Sequence, residues 1–189
     1  MDAERFPTVL VNSQAELWDW LAGRHASADS VWLAQPRKGQ PGHIEYPELV
    51  KTLLCWGWID SLPRSLDDTH TCILASPRKP KSLWSEINRA HVDELEGQGR
   101  IQPPGQAKID QARADGSWDR LAEVDGQRIP PDFAASLAGL PGAREFFDGL
   151  PKSARRAALE WIVSPLRPET RAARIKQAAQ ACAEGRRPR

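Results

Sequence analysis

YPELVKTLLCWGWIDS, Tyr46–Ser61, changes its hydrophobic period partway along, and that change decides the fold class. Pro47 suits the first turn of a helix, where the missing N–H has no intrahelical partner anyway. Leu49, Val50, Leu53 and Leu54 then recur at helical spacing and predict one apolar face. Gly57 closes the helix, and WID behind it reads as a strand. A helix that feeds straight into a strand calls for layers of both kinds.

The neighbouring segments extend the pattern. Ser13 followed by Glu16 forms a capping box ahead of Leu17, Trp18, Trp20 and Leu21, which predicts a first helix. VWLAQ, Val31–Gln35, reads as a short strand ended by PRKGQPG. HTCILA, His70–Ala75, reads as a strand joined to WID through SLPRSLDD. The order helix, strand, helix, strand, strand predicts an α+β fold, a small sheet covered by helices. Beyond Pro77 helices are expected at Leu83–Glu96, Gln106–Ala114, Pro131–Ala138, Ala143–Asp148, Ala154–Val163 and Pro168–Ala183, with proline and glycine at the breaks. The expected organisation is an α+β domain over residues 1–125 and a helical C-terminal region, 126–189, packed on it.

Composition narrows the function classes. At 189 residues, 40% of them hydrophobic and 27% charged, the chain has enough apolar material for a core and is not expected to be disordered. No apolar run reaches the roughly 20 residues that span a bilayer. The start, MDAERFPTVL, lacks the basic flank and apolar block of a signal peptide, so a cytoplasmic protein is expected. Three separated cysteines and four scattered histidines show no ligand spacing, so neither a metal nor a cofactor is expected. The net charge of +1 hides an asymmetry: Lys152–Arg189 holds ten basic residues against three acidic ones. Such a run is commonly a solvated or self-paired face.

Two stretches gather the residues with chemical potential. In SPRKPKSLWSEINR, Ser76–Arg89, the cations Arg78, Lys79 and Lys81 precede a helix for which Ser82 is the expected N-cap, an anion-binding arrangement in outline. Trp84, Asn88, His91 and Leu95 share a face of that helix at 3.6-residue spacing. Asp60 follows Trp58 at the start of the first hairpin strand, and Arg78 follows the second, so correct register would bring acid and guanidinium together. The site expected from these residues is Trp58, Asp60, Arg78, Ser82, Trp84, Ser85 and Asn88. In the tail, Arg171 and Arg174 flank the apolar line Ala172, Ile175, Ala179 and Cys182 and are further anion contacts.

Taken in order, ELWDWL, VWLA, YPELVKTLLCWGWIDS, SPRKPKSLWSEINR, GQGRI, AKIDQARADGSWD, IPPDFAASL and RPETRAARI make the chain resemble the YdeI/OmpD-associated, or bacteriocin-protection, family from about residue 15 to 180. The resemblance implies a small cytoplasmic α+β protein with a helical tail, linked to tolerance of bacteriocins or cationic peptides, without an established reaction or cofactor. Carried over by position, the family's distinctive residues are Trp58, Asp60, Pro77, Arg78, Ser82, Trp84, Ser85 and Asn88, with Thr170, Arg171 and Arg174. The chain departs from the family at Leu74 and Ala75, where an Arg-Phe pair is common, and at Leu166, where lysine is common.

The expectation is therefore a protection protein, non-enzymatic, that binds a small anionic molecule or a protein partner. An enzyme acting on a small metabolite through Asp60 with Ser82 or His91 stays open as an alternative. So does nucleic-acid or anionic-membrane binding by the basic last helix, although no DNA-reading motif accompanies it and nucleic acid is not the expected partner.

Overall fold

A computed structural model describes residues 5–188 and divides the chain into two compact units. The first comprises the chain up to Ser82 together with Ile87–Asp115; the second comprises Leu83–Glu86 and the chain from Gly116 onward. The division after Asp115 precedes the expected one at 125, and a short piece of the β4–α3 connection belongs to the second unit.

The first unit holds β1 (Thr8–Leu10), α1 (Gln14–Arg24), β2 (Val31–Pro36), α2 (Tyr46–Cys55), β3 (Trp58–Ser65), β4 (His70–Pro77), α3 (Glu86–Gly97) and α4 (Pro103–Asp115). Its sheet has the order β1-β2-β4-β3, with β1 parallel to β2 and the other pairs antiparallel. Ser13 Oγ accepts from Glu16 N at 3.1 Å, while the Glu16 carboxylate reaches back to Asn12 N at 2.8 Å, one residue before the usual capping-box partner. Leu17 and Leu21 of α1 and Leu49 and Leu53 of α2 pack on Val31, Leu33, Trp58 and Ala75, which alternate onto one sheet face. Trp32, Ala34 and Cys72 occupy the opposite face, where the Arg64 guanidinium lies over the Trp32 ring at 4.0 Å.

Gly57 turns the chain from α2 into β3 at φ +74°, a left-handed conformation that favours glycine. Nearby, Gly105 lets α4 meet the end of α2 backbone to backbone: a Cβ there would stand 2.3 Å from the Cys55 carbonyl oxygen.

The second unit holds α5 (Ala122–Asp125), α6 (Pro131–Ala138), α7 (Ala143–Asp148), α8 (Lys152–Val163) and α9 (Pro168–Ala183). Phe133, Leu137, Phe147, Leu159, Ile162, Ile175 and Ala179 form its core, with the Phe133 and Phe147 rings edge to face at 5.2 Å. The fold is α+β with a helical C-terminal region, as the sequence predicts.

Candidate functional site

The hairpin register answers the question that the sequence left open. Trp58 pairs with Pro77 and Asp60 with Ala75, so Asp60 and Arg78 emerge at the same end of the β3–β4 hairpin. Arg78 N donates to the Gly57 carbonyl at 2.9 Å, extending that end. The direct partner of Asp60 is a different residue: Tyr46 Oη donates to Asp60 Oδ2 at 2.7 Å. Arg78 is only 3% exposed, and burial pushes its pKa down to about 10 while the Asp60 charge opposes the shift. Its Nη1 reaches Ser82 Oγ at 3.4 Å.

The tryptophans give their surface to cores. Trp58 is 1% exposed, donates Nε1–H to the His25 carbonyl at 3.3 Å and meets Trp20 edge to face at 5.6 Å. Trp84, 2% exposed, stands 4.9 Å from Trp118 within the second unit. Ser85 belongs to that unit too, whereas Trp58, Asp60, Arg78, Ser82 and Asn88 belong to the first.

The expected N-cap at Ser82 needs correction. Helix α3 begins at Glu86, after a turn in which Ser82 N donates to the Lys79 carbonyl and Lys81 adopts φ +61°. Leu83 and Trp84 are drawn into the second unit by packing, which overrides the helical pattern and removes Trp84 from the expected helix face. Lys79 and Lys81 are exposed on that turn, not gathered at a helix start. Asp60 hydrogen-bonds neither Ser82 nor His91 among the described residues, so no hydrogen bond joins the proton-transfer pairs that the enzyme alternative requires.

The first unit contains a cleft that the motif reading did not single out. About 290 Å³ in volume, it opens between the start of α2 and the far end of the sheet. Leu49, Pro63 and Ile73 make apolar walls; Gln35, Thr71, Lys38, His43, Glu45 and Tyr46 supply polar groups. Pro63 faces the cleft because of a bulge: two residues, Ser61 and Leu62, lie between Asp60 and Pro63, while their β4 partners Ala75 and Ile73 are separated by one. That extra residue puts Asp60 and Pro63 on the same face and leaves Leu62 63% exposed. His43 Nδ1 lies 2.8 Å from the Pro36 carbonyl and Nε2 3.9 Å from Glu45 Oε1. Burial, then the hydrogen bond to Asp60, then the Asp60 charge push the Tyr46 hydroxyl up to about 12, so it is a phenol at neutral pH.

In the second unit a larger cleft, about 420 Å³, runs along the start of α9 between Asp132, Ser136, Pro165, Leu166, Pro168, Arg171, Ala172, Ile175 and Lys176. Arg171 grips Asp132 through both Nη atoms, Nη2 to Oδ1 at 3.0 Å, and that bond holds the carboxyl below its ordinary range. The second tail arginine is differently employed. Arg174 donates to the Trp161 carbonyl at 2.7 Å and Ser164 Oγ at 2.8 Å, with its guanidinium 4.9 Å from the Trp161 ring centre, fastening α9 to the end of α8. The basic run is thus partly self-paired, the ordinary fate of such a stretch.

No group of three or more histidine, cysteine, aspartate or glutamate residues able to hold a metal occurs among the described residues. No described helix is long and apolar enough to cross a membrane.

Residues 9–108 match the family described as a domain of unknown function, DUF8412. Residues 128–185 match the family described as bacteriocin-protection, YdeI or OmpD-associated. GWID and PRKPKS lie within the first match and RPETRAARI within the second, so the YdeI match is narrower than the span of the motif resemblance. Neither a curated protein nor a solved structure matches the chain.

Proposed function

The chain belongs to the DUF8412 domain family, whose match spans more than half of it, and with the bacteriocin-protection match in its helical unit as a second premise we propose a stress- or bacteriocin-protection protein that acts by binding an anion with an apolar body at the α9 cleft. One observation carries the reading: motif residues Arg171 and Ile175 line the same cleft as Lys176, beside Pro165, Leu166 and Pro168. A guanidinium has five N–H donors, and Asp132 occupies only part of that set. Lys176 makes no ion pair with a described residue. An apolar body against Ile175 and Leu166 leaves its charged end beside these two cations, the combination of hydrophobic wall and few polar anchors that small-molecule sites use.

Calorimetric titration with phenyl phosphate and hexanoate tests the binding step. The wild type is expected to bind at least one probe, with about a tenfold loss in Arg171→Ala/Lys176→Ala, equivalent to roughly 1.4 kcal/mol. Equal affinity in wild type and double variant, or no binding of either probe, overturns the proposed site. The protection role is read separately in a host lacking the gene: a double variant that has lost binding yet restores survival under bacteriocin challenge separates the two claims and refutes their link.

A further inference from the structure

We infer that the cleft at the start of α2 is a binding site for a small primary amine with an apolar or aromatic body. The inference stands apart from the α9 cleft and uses the first unit alone.

A backbone carbonyl only accepts, so at the 2.8 Å contact with Pro36 the proton must be on His43 Nδ1; in the neutral ring Nε2 then has a lone pair to offer. Tyr46 spends its hydroxyl proton on Asp60, which leaves the phenol oxygen as an acceptor. Thr71 spends its proton on the Arg64 carbonyl at 3.1 Å, which leaves its oxygen as an acceptor also. Glu45 contributes a carboxylate whose nearest basic nitrogens, Lys38 Nζ at 3.8 Å and the neutral His43 Nε2 at 3.9 Å, stand beyond hydrogen-bond distance. Gln35 directs its carbonyl oxygen to Ile44 N at 2.9 Å, leaving an amide donor, and Lys38 is a solvated cation at the rim.

Acceptors outnumber donors, so a ligand that brings several N–H donors and a positive charge satisfies the cleft better than an anion does. An ammonium has three donors and no acceptor, and it reaches Glu45 without first breaking a protein hydrogen bond. Asp60, held by Tyr46, adds negative potential behind the phenol. The walls settle the rest of the ligand. Leu49, Pro63 and Ile73 present apolar surface in a space of about 290 Å³, near the lower end of the range for small-molecule sites, so a single ring or short alkyl body fits where a large ligand does not.

The test compares benzylamine, benzyl alcohol and benzoate, which share a ring and differ in charge. Each is titrated into the full-length protein while backbone and side-chain resonances are followed. The expected result is saturable benzylamine shifts at Gln35, His43, Thr71 and Ile73, with affinity about tenfold above that of benzoate. Glu45→Gln is expected to remove most of that preference. Glu48→Gln removes the same charge three residues along the chain, in the first turn of α2 and outside the cleft lining, and is expected to leave it intact. The inference is overturned if benzylamine shifts nothing in the cleft, if benzoate binds as well, if Glu45→Gln binds like the wild type, or if Glu48→Gln weakens binding equally. Resonance spectra of each variant without ligand report whether it is folded, so loss of structure is distinguished from loss of binding.

Discussion

Tyr46 is the single tyrosine of the chain, which makes its ionisation readable without interference from another phenol. The perturbation is Asp60→Asn. In the wild type the hydroxyl is raised from 10.0 to about 12, first by burial, then by its hydrogen bond to Asp60, then by the Asp60 charge. Asparagine retains an acceptor and a similar shape but removes the charge, so the midpoint is expected to fall partway towards 10 and stop above it, because burial persists. A shift from 10.0 to about 12 corresponds to about 2.7 kcal/mol between protonation states at ~1.4 kcal/mol per unit. Tyr46 is 57% exposed, so solvent screening reduces its contribution to stability to about 1 kcal/mol. The sign follows from the direction. The folded value exceeds the unfolded one, so the stabilisation is fully present below about pH 10 and is lost as pH rises through about 12. The assay is the tyrosinate difference absorption during alkaline titration, with near-ultraviolet circular dichroism recorded at each point to establish that the fold persists. A wild-type midpoint at the ordinary phenol value in the folded protein, or a midpoint unmoved by Asp60→Asn, refutes the account of the Tyr46–Asp60 pair.

Two further substitutions probe the scaffold. Gly105→Ala places a Cβ 2.3 Å from the Cys55 carbonyl oxygen and 2.8 Å from that of Leu54, so an overpacking cost of about 1–3 kcal/mol exceeds the ~1 kcal/mol gained in helix propensity. Denaturant unfolding is expected to show a net loss, and a neutral or stabilised variant contradicts the close approach of α2 and α4. Arg174→Ala removes two hydrogen bonds and a cation–π contact at the α8–α9 junction and is expected to cost about 1–3 kcal/mol by thermal unfolding. Unchanged stability contradicts its role as a fastening.

The fold class was legible because α1, α2, β2 and the β3–β4 hairpin carry their own periods and punctuation, each readable within a dozen residues. Strand β1 was not, since three residues show too little alternation and its parallel partner arrives only after α1. The start of α3 was misplaced for a different reason: Leu83 and Trp84 satisfy a helical pattern locally but are claimed by the core of the second unit. Among the expected site residues, the common position of Asp60 and Arg78 at one hairpin end depended on register, which no local pattern encodes. The α2 cleft escaped notice because its residues come from β2, the loop after it, α2, β3 and β4 and form no motif. One signal was available: Pro63 inside an apparent edge strand implies a bulge, and a bulge redirects side chains.

That bulge explains why the cleft exists. In an unbroken ladder after Asp60–Ala75, Leu62 would pair with Ile73 and face the helices, while Pro63 would point to the opposite side of the sheet. The larger, flexible leucine would then stand over the space bounded by Leu49 and Ile73. The extra residue instead sends Leu62 to solvent and leaves the compact proline ring at the wall. Both changes are locally unfavourable: an apolar side chain is exposed and a ladder step is interrupted. Tyr46, exposed beside the same opening, repeats the pattern of apolar surface kept out of the core. These departures from the rules of sheet and core converge on the cavity to which the amine site is assigned, where Glu45, Tyr46 and Thr71 place polar acceptors around the gap.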